Sequence, residues 1–391
     1  MPMLRFLTAG ESHGKGLIGI IEGLPAGVPI LKEDIDKELK RRQGGYGRGG
    51  RMKIESDEVE IISGIRWGKT IGSPIGLLIK NQDWHNWESG MNPHPSFEGS
   101  IPPVTRPRPG HADLAGIMKY LHYDIRNVLE RSSARETAIR VAIGAIAKRF
   151  LSIFNIKIGS FVTSIGSASV SVETAFLSES ELLALAENAE NSKVRCPFPE
   201  LDGDFIDAID KAVNTGDSVG GNFVCFAVFV PVGLGSYVHW DRKLDGRIAQ
   251  GFMGIQAIKA VEIGDGVELG NKFGSEVMDE IIYNEGFSRK TNHMGGIEGG
   301  VSNGMPIIVK ATMKPIPTLR RPLKSVDVFT KETVSAAYER SDICAVPAAS
   351  VIGEAVLAWH LAEAFIEKFG GDSLEEVSDN FKAYQERLKK R

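Results

Sequence analysis

The chain has 391 residues, 46 Lys and Arg against 50 Asp and Glu, a formal net charge of −4 and 42 % hydrophobic residues. A chain this long buries about three quarters of its unfolded surface, and its ordinary apolar and charged fractions exclude disorder, a coiled coil and a disulfide mini-scaffold. Net acidity argues against bulk binding of nucleic acid. Three widely spaced cysteines (Cys196, Cys225, Cys344) form no CxxC or zinc pattern and predict reduced thiols in a cytoplasmic protein with no metal site.

In chain order, Met3–Thr8 and Leu17–Ile21 are short apolar runs bounded by glycine and predict two strands around a turn. Lys32–Arg42 predicts a helix, with Ile35 and Leu39 four apart, acids early and bases late. Glu58–Ile62 and Ile75–Ile79 predict strands. Gln82 to Ala112 has little periodicity and many Pro, Gly, His and Trp residues, the signature of a long functional loop. Helix is expected at Asp113–Val128 and from Ala134 to about Phe150, with Ser133 and Glu136 spaced as a capping box. Strands are expected at Ile156–Ile165, Phe223–Val232, Ala260–Ile263 and Ile307–Ala311, and helices near Ser178–Ala189, Phe205–Val213 and Gly246–Gln256. Three C-terminal helices are predicted over Lys331–Tyr338, Ala348–Phe369 and Ser373–Lys390, the last strongly charged and peripheral. Strands and helices mix without a βαβ rhythm, which predicts an α+β chain of one large domain over 1–391, with 372–391 as a peripheral helix. The most apolar stretch, Asn222 to Gly235, is broken by Pro231 and Gly233 and is far short of the ~20 residues a spanning helix needs, so no membrane partner is expected.

Two motifs match chemistry in letters but not in context. Gly10-Glu11-Ser12-His13-Gly14 has the form GxSxG, yet a strand, not a helix, is predicted after it, so the hydrolase elbow does not fit. Gly45-Tyr46-Gly47-Arg48-Gly49-Gly50 has the form GxGxxG but follows a helix and precedes polar residues, against a dinucleotide fold. Four acid-free cationic patches stand out instead: Lys40 to Arg51, Ser100 to Ala112 with Arg106, Arg108 and His111, Arg131 and Arg135 with Ser132 and Ser133, and Lys314 to Lys324 with Arg320 and Arg321. Arginine forks suit phosphate and carboxylate, so a net acidic chain with four such patches predicts a site for a small, multiply anionic ligand. His13 sits in a tight glycine turn and His111 follows Pro109-Gly110, both better placed for proton transfer than His122 in a helical run. Asp342, in a loop between helices, suits either a helix N-cap or a functional carboxylate.

GESHG at 10–14, RRQGGYGR at 41–48, RPGHAD at 108–113, RSSARET at 131–137, EIGDG at 262–266, NHMGGIEGG at 292–300, KPIPT at 314–318 and RSDICAVPA at 340–348, taken in order, closely resemble the chorismate synthase family over residues 4 to about 370. The resemblance implies a β-α-β sandwich, α+β in character, assembled as a homotetramer. It also implies a lyase that turns 5-enolpyruvylshikimate 3-phosphate into chorismate and phosphate by 1,4-anti elimination, the last step of the shikimate pathway, with reduced FMN as cofactor. By position, it implies His13 as acid to the leaving phosphate, His111 at the flavin N1 edge and Asp342 as partner to flavin N5. Ser12, Arg42, Arg48, Arg108, Arg135 and Arg340 would contact substrate. FMN would meet Arg131, Ser132, Ser133, Gln256, Ala257, Gly299, Lys314, Pro315, Ile316, Pro317, Thr318 and Arg340, with Ser133 or Ser132 linking the substrate and flavin networks. Arg42 and Arg48 are also the positions given to NADP, so NADPH is a candidate reductant and an external flavin reductase the alternative source of electrons. Two rivals remain to be distinguished: a phosphoester hydrolase using Ser12 and His13, and an RNA-binding protein using residues 40–51.

Overall fold

The computed structural model describes residues 4–49, 56–284, 286–339 and 341–390. Two antiparallel sheets enclose a layer of helices. The first sheet has the strand order Arg5–Gly10, Gly16–Glu22, Ile75–Lys80, Val59–Ser63. The second has the order Ile258–Ile263, Ile307–Met313, Gly221–Val228, Lys157–Ile165, Ala168–Ser169. Helices Lys32–Gln43, Thr137–Ser152, Leu244–Met253 and Val346–Phe369 fill the space between. The sandwich expected from the family motifs is therefore present, and one contiguous apolar core runs through it from Leu4 to Phe381.

Period-two burial explains why the first sheet takes one face inward: Leu17 and Ile21 are buried while Ile18 and Ile20 alternate outward. The two long helices touch so closely that a Cβ at Gly144 would collide with Ala355, and one at Gly353 would collide with Cys225 and Phe223 of the second sheet. Small residues thus set the thickness of the helical layer. The outer face of the second sheet (Phe161, Val224, Phe226, Val228, Ile308) is covered by helix Glu179–Asn191 through Leu182 and Ala189. The outer face of the first sheet keeps Leu7, Ile18 and Ile20 exposed, with Leu7 opposite Ile20 and Ile18 opposite Leu78.

Most predicted elements appear within a few residues of their expected bounds, and three expectations are corrected. Lys331–Tyr338 is not a helix: Thr333–Ser335 pairs with Lys324–Val326 in a hairpin. Asp327 there accepts the N–H groups of Phe329 and Thr330, and Lys331 adopts φ 65°, which turns the chain before any helical turn can form. The Asp113–Val128 helix is two, Asp113–Tyr120 and Arg126–Ser132. Leu121 at φ 55° ends the first, and the Asp124 carboxylate accepts from Val104 N–H and Arg126 N–H to start the second, so His122 lies in the break rather than in a helix. The Ser133–Glu136 capping box is half made: Ser133 accepts from Arg135 N–H, but Glu136 turns to Thr8 and Gln256. The apolar stretch Asn222–Gly235 is strand Gly221–Val228 and the turn after it, and the long apolar helix is Val346–Phe369. Among the described residues it alone is long and apolar enough to cross a membrane, and it is packed between the sheets. The charged C-terminal helix, Leu374–Lys389, rests on the rim through Val377 and Phe381.

Candidate active site

The turn joining the first two strands carries Ser12 and His13. Its shape is fixed from two sides. Asn81, at the end of the third strand of the sheet, donates to the carbonyls of Glu11 at 3.0 Å and Gly14 at 2.7 Å. Glu130, from helix Arg126–Ser132, accepts Ser12 N–H at its backbone carbonyl (3.0 Å) and His13 N–H at its carboxylate (2.7 Å). The other Glu130 oxygen lies 2.8 Å from His13 Nδ1. Trp87, from the long loop, lays its ring against His13 with centroids 4.2 Å apart, and Arg126 covers Trp87 at 4.7 Å. Because a strand follows the turn, the arrangement is not a nucleophile elbow.

Asn81 also ties this turn to a cationic cluster, since its Oδ1 accepts from Arg135 Nε at 2.9 Å. Arg135 and Arg42 both reach the buried carboxylate of Asp57. Arg42 further donates to Thr137 Oγ1 at 3.0 Å and the Ala134 carbonyl at 3.1 Å, so it faces inward from the end of its helix. Burial, with Arg48 and Arg135 nearby, pushes the Arg42 guanidinium down to about 10 despite Asp57. A buried cation whose affinity for its own proton is depressed by burial and by like charges is a place where an anion is stabilising.

Asp342 belongs to this cluster. It accepts Gly49 N–H at 2.7 Å and pairs with Arg48 at 2.9 Å. The next helix begins at Val346 with Ala345 at its N-cap, so Asp342 is not a cap. Ile343 N–H and Gly47 O, 2.9 Å apart, close the same contact between the glycine loop and the segment after residue 340. Arg340 itself lies outside the described residues. Cys344 beside it is no nucleophile, because burial pushes its thiol up to about 12.

The second histidine is braced differently. His111 Nδ1 lies 2.5 Å from Asp113, and Arg108 grips the same carboxylate with Nε at 2.8 Å while its Nη1 donates to Thr318 at 3.1 Å. Burial alone would raise the Asp113 carboxyl. Hydrogen bonds from His111 and Arg108 together with the Arg108 charge outweigh it and hold Asp113 well below the usual carboxylate range. Arg108, expected at the substrate, therefore faces Asp113 and Thr318. The hairpin at 324–335 secures this loop, with Ser325 donating to the Pro107 carbonyl and Ala337 N–H to that of Arg106.

Of the two serines offered as a link, Ser133 donates to Ser12 Oγ at 3.1 Å, whereas Ser132 turns back to the Val128 carbonyl at 2.8 Å. Arg131 donates to Thr8 and Gly10, and Thr8 in turn donates to Glu136, which accepts from Gln256. Ala257, in the left-handed region at φ 68°, accepts Lys314 N–H, and the Lys314 ammonium reaches the Gly110 carbonyl beside His111. Ser218 fastens the run Pro315, Ile316, Pro317 through the Ile316 carbonyl. These residues join the two histidine sites around one rim. Gly299 stands apart, in a tight turn whose nearest side chain is Tyr237. Sequence reasoning gave no role to Glu130, Asp113, Asn81 or Asp57. Asp113 could have been found from its place two residues after His111. Glu130, Asn81 and Asp57 meet their partners only through the fold.

Two histidines set against buried carboxylates, on the rim of an arginine cluster, define an enzyme for a small polyanion. Residues 4–366 match the family model for chorismate synthase. The chain is 58 % identical to the chorismate synthase of Aquifex aeolicus, covering 99 % of this chain and 98 % of that one, and 56 % identical to that of Desulforudis audaxviator over 99 % and 98 %. A solved structure titled "Crystal Structure of Chorismate Synthase" matches with a TM-score of 0.82 at 48 % identity, over 100 % of this chain and 99 % of that one. The chain belongs to the chorismate synthase family. It is a lyase of the shikimate pathway, acting at the last step, the formation of chorismate.

Proposed function

We propose that the chain converts 5-enolpyruvylshikimate 3-phosphate to chorismate and phosphate by 1,4-anti elimination with reduced FMN, and that His13, His111 and Asp342 handle the protons. The observation that carries this reading is the linkage, through Asn81 and Asp57, of the Ser12–His13 turn to Arg42 and Arg135. It puts a proton donor beside cations that suit a phosphate and a carboxylate.

The residues fit a flavin. Gln256 Oε1 is a buried acceptor with no partner among the described residues, suited to an imide N–H at a ring edge, and Arg131 and Lys314 bring positive charge to the same rim. Bound FMN in its reduced form would supply an electron-rich ring that lets the elimination proceed without net oxidation. The chain does the rest. Arg42, Arg48 and Arg135 hold the substrate anions, Ser12 orients the substrate, and Ser133 ties Ser12 to the flavin rim. His13 donates a proton to the departing phosphate oxygen. His111, held by Asp113 and Arg108, presents its remaining nitrogen to the flavin edge. Asp342, paired with Arg48, takes up a proton at the flavin N5 side. Thr318 and the run 314–317 close the cofactor side.

NADPH is the candidate reductant at Arg42 and Arg48, with an external flavin reductase as the other source of electrons. The exposed apolar face at Leu7, Ile18 and Ile20 supports assembly with further copies, as a homotetramer. Three buried free thiols support a cytoplasmic location. The test is anaerobic phosphate release with reduced FMN, oxidised FMN or neither. Turnover only with reduced FMN, used in catalytic amounts, is expected. Equal turnover without it would return Ser12 and His13 to the hydrolase reading, and salt-sensitive RNA binding without turnover would favour the RNA reading.

A further inference from the structure

Glu130 is 3 % exposed, on a short helix outside every motif that carries the family likeness. Three of its atoms hold the catalytic turn: the backbone carbonyl takes Ser12 N–H, one carboxylate oxygen takes His13 N–H, and the other faces His13 Nδ1. Arg126 Nη1 stands 3.4 Å from that second oxygen, and the Arg126 guanidinium presses on the Trp87 ring that lies against His13. We propose that Glu130 is a positioning residue, which fixes His13 as the Nδ1–H tautomer and leaves Nε2 as the nitrogen that protonates the phosphate. The inference rests on the reading of His13 as the acid at that phosphate.

The physical reason is the ambiguity of an imidazole. A neutral histidine can carry its proton on either nitrogen, and the hydrogen bond at one nitrogen selects which. An ionised carboxylate only accepts, so Nδ1 must donate. The Nδ1–H bond to that negative charge also holds the ring in one orientation. Arg126 moderates that charge from the same helix, with Glu339 4.0 Å behind it, and Glu11 and Lys15 flank His13 in its own turn.

The experiment is nitrogen-15 NMR of the His13 ring across pH in the ligand-free protein, in the parent, in Glu130→Gln and in Glu130→Asp. The parent is expected to show neutral His13 as the Nδ1–H tautomer. In Glu130→Gln, whose amide can accept or donate, that bias should be lost and the Nε2–H tautomer should become populated. With the tautomer no longer fixed, kcat should fall by about tenfold or more with KM near the parent. Glu130→Asp should recover part of both. An Nε2–H tautomer in the parent overturns the inference without any variant, and so does a Glu130→Gln protein whose tautomer and kcat both stay in place. If His13→Ala keeps parental turnover, the reading of His13 as acid has failed. If His13→Ala is inactive and Glu130→Gln is unmoved, only the inference about Glu130 has failed.

Discussion

Arg41 and Arg42 are neighbours on one helix and point into opposite kinds of charge cluster. Arg41 enters the helical layer, where Arg41, Lys148 and Arg195 meet Glu38, Glu190 and the fully buried Glu354. Burial opposes the charge on both Arg41 and Glu354, yet their mutual attraction wins: Arg41 is held well above its ordinary value and Glu354 well below. Arg42 enters the rim, where Arg42, Arg48 and Arg135 meet Asp57 and Asp342 among the described residues, and its guanidinium is pushed down. A core cluster balances its charges internally because nothing else will reach it. The rim cluster, with three arginines to two carboxylates among the described residues, leaves positive charge over, as the proposed anionic substrate requires. The lesson is that a count of buried arginines does not locate a site, whereas the balance of opposite charge around them separates the two clusters.

The largest expected effect lies at the rim. Asp342→Asn keeps an acceptor for Gly49 N–H but loses basicity and the charge beside Arg48. Turnover under anaerobic, photoreduced conditions should fall by about 10²–10⁴, while the thermal midpoint stays within about 3 °C of the parent. Parental turnover would move Asp342 into the same class as Glu354, a structural counter-ion.

In the core the sign is reversed. Glu354→Gln leaves Arg41, Lys148 and Arg195 without their central anion, and removing one partner of a buried pair costs about 3–5 kcal/mol of stability. Urea unfolding should show that loss, with kcat per folded molecule close to the parent. A stable variant with impaired turnover would mean the two clusters are one functional unit.

Arg48→Ala should weaken substrate binding by about 1.5–3 kcal/mol, the usual worth of a charge-assisted contact, and should alter stability far less than Glu354→Gln. Calorimetric titration of the ligand beside a melt separates the two. Unchanged affinity would leave Arg48 only as the partner of Asp342.

The smallest effect decides where the third group, Arg108 with Asp113 and His111, belongs. Asp113 is depressed in the folded chain, so its contribution to stability is complete above the ordinary carboxylate value near 3.9 and is lost as the pH falls through the folded-state value. Asp113→Asn cannot titrate. The stability gap between parent and variant should therefore be constant from about pH 5 to 7 and narrow below about pH 4. A gap that does not narrow would detach Asp113 from the Arg108–His111 brace.

The sequence by itself determined the regular elements whose signal is local. Apolar alternation set the strands at 17–21 and 75–79, and cap chemistry set the helices opened by Ser178 and Ser373. It also determined which residue types the site would use, because GESHG, the glycine–arginine loop and RPGHAD are local strings. It misjudged 331–338, where an Asp-capped turn overrode a helical composition, and it could not choose between Ser132 and Ser133 or between cap and counter-ion for Asp342. Those were tertiary decisions. Glu130 reaches His13 across 117 residues, and Asp342 reaches Gly49 across 293. No local pattern records a carboxylate whose partner is brought to it only when two sheets close on a layer of helices, and the burial that shifts the Arg42 and Asp113 protons exists only in the folded chain.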